Sequence, residues 1–101
     1  MKKLILFVAA AALLLPVVGL ASSDGEAVYK KACGVCHDNG IAGAPKTGDK
    51  AAWGGLVSEG VDALTATAIK GQGAMPAKGG HAELSDAEVK AAVEYMVEES
   101  K

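Results

Sequence analysis

Apolar residues are distributed along this chain in two ways. From Leu4 to Leu20 they run almost without interruption, behind Lys2 and Lys3 and up to the small residues Gly19 and Ala21. From Ser22 onward they recur every three or four positions among polar residues. The first pattern is that of a secretory signal peptide spanning 1–21, cleaved before Ser22, leaving a single domain over 22–101. An uncleaved anchor is the alternative, because the run approaches the ~20 apolar residues of a membrane span; Pro16 and the small-residue site favour cleavage.

The second pattern predicts short amphipathic helices. Ser23 and Glu26 have the spacing of a capping box, so a helix begins near Asp24 and runs to about Cys36. Asp38 to Gly48, with three glycines, Pro45 and Asn39, reads as a loop. A short helix follows from Asp49 to about Leu56. After Gly60, the apolar positions Val61, Leu64, Ala68 and Ile69 predict another helix, closed by Gly71. Gly71 to Gly80 is again a loop. Ser85 and Glu88 form a second capping box, with Leu84 and Val89 at the positions of a hydrophobic staple, and Val89, Ala92, Val93 and Met96 continue as one stripe. No segment alternates with period two between turn signals and no repeat is present, so the domain is expected to be all-α.

Composition sharpens this. Of the 80 residues from Ser22 onward, 34 are apolar, but 15 of those are alanine, and the aromatic residues left are Tyr29, Trp53 and Tyr95. So little bulk cannot fill a comfortable core in a domain of this length, which calls for a staple or a cofactor. The absence of arginine and the acidic balance exclude a nucleic-acid partner, and the length excludes a multi-domain enzyme.

Cys33-Gly34-Val35-Cys36-His37 supplies the missing element. C-x-x-C-H is the attachment signature of a c-type haem. Each thiol adds to one vinyl group, the two-residue spacer on a helical turn separates the sulfurs suitably, and the following imidazole lies under the iron. A thioredoxin-like pair would place the first cysteine at a helix N-terminus, whereas here both lie at a C-terminus. A zinc site from Cys33, Cys36, His37 and His81 would need adjacent residues to converge on one tetrahedron. A plain disulfide leaves His37 unexplained.

A second axial donor decides whether such an iron is open. Met75 is the favoured candidate: it lies in the glycine-rich loop, and Pro76 keeps it extended rather than helical. Gap-filling is the ordinary alternative for a loop methionine. His81 after Gly79-Gly80 is the rival ligand, though a surface histidine fits its position better, and Met96 belongs to the helix stripe. An iron held by imidazole and thioether has no open site and a raised potential, properties of a one-electron carrier and not of an enzyme. An iron with an open or exchangeable sixth site is the alternative.

These motifs together resemble the class I c-type cytochromes, and within them the bacterial cytochrome c5 group. Ala42 to Trp53 (AGAPKTGDKAAW) is similar to that group's segment after the haem motif, and Gly73 to Gly80 (GAMPAKGG) to its distal loop. The resemblance implies helices wrapped around one covalent haem c, thioether bonds from Cys33 and Cys36, His37 as proximal and Met75 as distal iron ligand, and the Pro45 carbonyl accepting a hydrogen bond from His37. It also implies crossing terminal helices at Gly25, Tyr29 and Tyr95. Trp53 is either a donor to a haem propionate or a packed core aromatic. The extra cysteine pair that many members carry before the last helix is missing from His81-Ala82-Glu83-Leu84.

The expected role is an exported, periplasmic electron carrier of a respiratory chain, monomeric and without stable membrane insertion. Its partners would be a redox-protein donor and acceptor, docking transiently at the haem edge. Removing Lys2 and Lys3 takes the net charge from −2 to −4, all of it carried after His81, while Asp38 to His81 holds four lysines and four acids. With Ala42, Ala44, Ala74 and Ala77 near the rim, docking through a nearly neutral apolar patch is expected.

Overall fold

A computed structural model describes residues 24–101. The predicted leader and Ser23 lie outside the described residues. Among the described residues the fold is all-helical: α1 (Gly25–Val28), a π-helical turn (Tyr29–Cys33), α2 (Gly34–His37), α3 (Lys50–Val57), α4 (Val61–Lys70) and α5 (Asp86–Ser100). Two short 3-10 turns, Ile41–Gly43 and Ala77–Gly80, fall within segments expected to be plain loop.

Helix boundaries follow from local chemistry. Asp24 caps α1, its carboxylate accepting from the Ala27 amide at 3.1 Å. Asp49 does the same for α3, accepting from Ala51 and Ala52 at 3.0 and 3.2 Å. The capping box of α5 is complete: the Ser85 hydroxyl accepts from the Glu88 amide at 3.1 Å, and the Glu88 carboxylate accepts from the Ser85 amide at 2.8 Å. Leu84 and Val89 are both buried, as the staple requires.

The π turn was not expected, and it resolves a conflict. In an uninterrupted α-helix Gly25, Tyr29, Ala32 and Cys36 would share one stripe. That stripe would have to pack against α5 and carry Cys36 at the same time. The Gly34 amide instead bonds to the Tyr29 carbonyl, five residues back. The added residue turns everything beyond it by up to about 100°, so Gly25 and Tyr29 stay on the α5 seam while Cys36 and His37 swing away from it.

Helices α1 and α4 both pack on α5, which buries Val89, Ala92, Val93, Met96 and Val97. At the α1–α5 crossing the backbones touch: a Cβ on Gly25 would lie 2.1 Å from the Ala91 carbonyl oxygen. Beside it the rings of Tyr29 and Tyr95 pack with centroids 5.1 Å apart, tilted by 47°. Gly25→Ala should therefore force the helices apart and cost about 1–3 kcal/mol, read as a lowered thermal midpoint of the holoprotein. An unchanged midpoint would show that the crossing bears no load.

Candidate cofactor site

The helices enclose an apolar cavity of about 400 Å³, a volume within the range of built ligand sites. Cys33, Cys36 and His37 line it from the first helical segment, Leu64 and Ala68 from α4, and Val93 and Met96 from α5. The stripes read from the sequence as core are thus also the walls of this cavity. Met75 and Pro76 line it from the glycine-rich loop, and Pro45 and Trp53 from the other side of the chain.

His37 is buried and held from two directions. Its Nδ1–H donates to the Pro45 carbonyl at 2.8 Å, and its own carbonyl accepts from the Thr47 amide at 2.8 Å. The loop that supplies Pro45 is itself pinned. Trp53 Nε1–H donates to the Lys46 carbonyl at 3.0 Å, and the Gly48 amide donates to the hydroxyl of Ser100 at 2.8 Å, near the end of α5. The Tyr29 hydroxyl donates to Asp38, directly after His37. Among the described residues Nε2 of His37 has no hydrogen-bond partner, so a fixed imidazole keeps one nitrogen for another bond.

Trp53 is 4% exposed, and its ring centroid lies 6.3 Å from that of His37. Its single N–H serves the Lys46 backbone, so Trp53 stands as a packed wall of the cavity. Met75 is half-buried against the core, its loop tightened by paired bonds with Gln72, both 2.9 Å. His81 instead faces Glu83 on the surface, Nδ1 to carboxylate 3.3 Å, and does not line the cavity. Among the described residues no three His, Cys, Asp or Glu side chains gather as a metal cluster, so the zinc alternative has no geometry behind it.

Both cysteines are free thiols on the cavity wall. Burial pushes the Cys33 thiol up to about 11, which keeps it neutral at physiological pH. Two thiols, an oriented imidazole, a loop thioether and otherwise apolar walls fit a covalently held haem c. Val35 and Ile41 are site residues that no sequence pattern marked in advance. They line the same cavity yet are 72% and 51% exposed, which places large apolar side chains at its mouth. An isoleucine isolated in a loop of Asp, Asn and Gly was the available signal.

An all-helical fold around a cavity lined by C-x-x-C-H defines a class I c-type cytochrome. Comparison with known proteins agrees. Residues 21–96 match the family model described as cytochrome C oxidase, cbb3-type, subunit III. Cytochrome c-555 of Chlorobaculum tepidum is 49% identical over 84 residues, covering 79% of this chain and 78% of the relative. Cytochrome c5 of Azotobacter vinelandii is 42% identical over 80 residues, covering 77% and 96%. A chain in the crystal structure of an electron transfer complex of nitrite reductase with cytochrome c is 51% identical, with a TM-score of 0.73, covering 76% of this chain and 94% of that one. The chain belongs to this c-type cytochrome family, as a class I member related to the cytochromes c5, c-551 and c-555. It is a small electron-transport protein of the respiratory-chain cytochrome type, with a non-catalytic role, in a family where one covalently bound haem c is typical.

The polar cluster beside His37 has a pH signature. Burial, reinforced by the bond to Asp38, pushes the Tyr29 phenol up from its ordinary value of 10.0 to about 12. The folded protein keeps a proton that the unfolded chain releases, so this contribution to stability is whole below about pH 10 and is lost as pH rises through about 12. Urea midpoints between those limits should fall more steeply in wild type than in Tyr29→Phe; parallel curves would count against the assignment.

Proposed function

We propose that this chain is exported, attaches one haem c through Cys33 and Cys36, holds the iron with His37 and Met75, and passes single electrons between redox proteins at the mouth of its cavity. One observation carries the proposal: the cavity that holds both thiols is lined by a fixed imidazole with a free Nε2 and by the thioether-bearing loop, while His81 stays outside it. When bound, the haem supplies an iron that gains and loses one electron.

The residues of the chain decide what that iron does. His37 and Met75 would both hold the iron, leaving no open site for a substrate. The soft thioether of Met75 favours the reduced state, and the apolar walls from α4 and α5 push the potential in the same direction. Pro45 fixes the imidazole plane, so neither oxidation state requires the ligand to turn. The basic and apolar leader over 1–21 supports export to the periplasm, where the domain over 22–101 acts. Among the described residues no helix is long and apolar enough to cross a membrane.

Ferric wild-type protein should show the thioether–iron charge-transfer band, and Met75→Ala should lose it and, once reduced, bind carbon monoxide. A wild type that lacks the band and binds carbon monoxide readily would replace the carrier with an open-site haem protein. A purified exported chain without Soret and α/β bands would remove haem altogether.

Exposed Val35 and Ile41 at the mouth suit brief docking of a donor and then an acceptor, as a related cytochrome docks with nitrite reductase. Charges over Asp38 to His81 balance, so steering is weak. Electron-transfer rates with a partner should change by less than about threefold between low and high salt, and Ile41→Asp should slow them. A steep fall with salt would contradict an apolar docking face.

A further inference from the structure

Among the described residues only two non-glycine residues adopt positive φ, Ala42 at 57° and Lys78 at 54°. Lys78 lies three positions after Met75, in the 3-10 turn that closes the glycine-rich loop. Glycine would occupy that backbone conformation without strain. A lysine there means that its side chain returns something the backbone loses.

The contacts show what it returns. Lys78 Nζ donates to the Leu84 carbonyl at 2.7 Å and pairs with the Asp86 carboxylate at 3.4 Å. Its side chain is only 21% exposed, and its stem lies in a crevice also lined by Val28, Leu84 and Val89. Leu84 is itself buried, as half of the staple that starts α5. The ammonium therefore ties the end of the Met75 loop to the start of α5. The next residue ties the loop to the attachment helix: a Cβ on Gly79 would lie 2.6 Å from the Ala32 carbonyl oxygen, one residue before Cys33. Between these anchors and the paired Gln72–Met75 bonds, the methionine has little freedom to leave the cavity wall.

We propose that Lys78 is a positioning residue for the distal ligand, a latch whose contacts with Leu84 and Asp86 set how firmly Met75 stays on the iron. The inference rests on the His37/Met75 reading. The latch acts through the loop and touches no reacting atom. Its loss raises the fraction of time the thioether is off the iron, without requiring any change in the fold.

The test uses ferric holoprotein and imidazole as a competing ligand, with bleaching of the thioether charge-transfer band followed in time. Lys78→Gln removes the charge and the reach. Lys78→Gly removes the latch while relieving the backbone strain, so it keeps the loop shape and guards against a variant that merely folds badly. Both should admit imidazole about tenfold faster, the effect of losing one charge-assisted hydrogen bond, while Lys78→Arg, which keeps a cation in reach, should stay near wild type. Imidazole entry at the wild-type rate in both Lys78→Gly and Lys78→Gln would overturn the latch, whatever happens to the thermal midpoint. Wild-type protein without the charge-transfer band would remove the His37/Met75 reading, and this inference with it; a normal band with unaltered variants removes the latch alone.

Discussion

An apolar cavity of about 400 Å³ in the middle of so short a chain is the constraint on which the rest of this structure depends. Left to water, so open a space would wet Leu64, Ala68, Val93 and Met96 and forfeit their burial. Fifteen alanines in the domain cannot close the gap from within. On the proposed function a haem would fill this shell, and Cys33 and Cys36 on its wall would tie it there covalently.

Covalent attachment, as proposed, would impose a second requirement on the first helical segment. It must cross α5 closely enough for Gly25 to meet Ala91, and it must also present Cys33, Cys36 and His37 to the cavity. A regular helix would place Cys36 on the crossing stripe itself. The π turn over Tyr29–Cys33 separates them, with Tyr29 marking where the seam ends and Ala32, under the Gly79 backbone, marking where the distal loop crosses. The helix seam, the attachment motif and the ligand loop thus meet within five residues, so a displacement in any one of them moves the other two.

How much of this was legible in the sequence depended on how local the determining physics is. Capping residues act over three positions, so the Ser85–Glu88 box and the Leu84–Val89 staple were readable and mark the start of α5 closely. The C-x-x-C-H motif is equally local and pointed to the c-type cytochrome family to which the chain belongs. The π turn was hidden because each half of it is a normal helix; only the conflict between a Gly25/Tyr29 seam and a Cys36 on the same stripe betrays it, and that conflict depends on a contact with residues more than sixty positions away. Trp53 was ambiguous for a similar reason. Its N–H meets the Lys46 carbonyl, a partner set by the path of the Asp38–Gly48 loop and not by residue type. Val35 and Ile41 escaped notice because apolar residues in a spacer or a loop gain meaning only once the mouth of the cavity is placed.

The two sides of the cavity are fastened by different means, and the difference suits a carrier. On the His37 side, hydrogen bonds to the Pro45, Lys46 and His37 carbonyls and the Ser100 hydroxyl hold the loop, each short and none dependent on a mobile surface charge. On the Met75 side the fastening is a tight turn, close glycine packing and one lysine. A ligand set that hardly moves between oxidation states keeps the cost of reorganisation low, because the donors are already where both states need them. Imidazole is a strong donor whose orientation must be fixed, and rigid backbone bonds do that. A thioether binds more weakly and must be kept from leaving, which requires a loop closed at both ends. On the proposed His37/Met75 ligation, the fold supplies orientation where the bond would be strong and confinement where it would be weak, so that a single electron would pass at the exposed mouth without the walls having to yield.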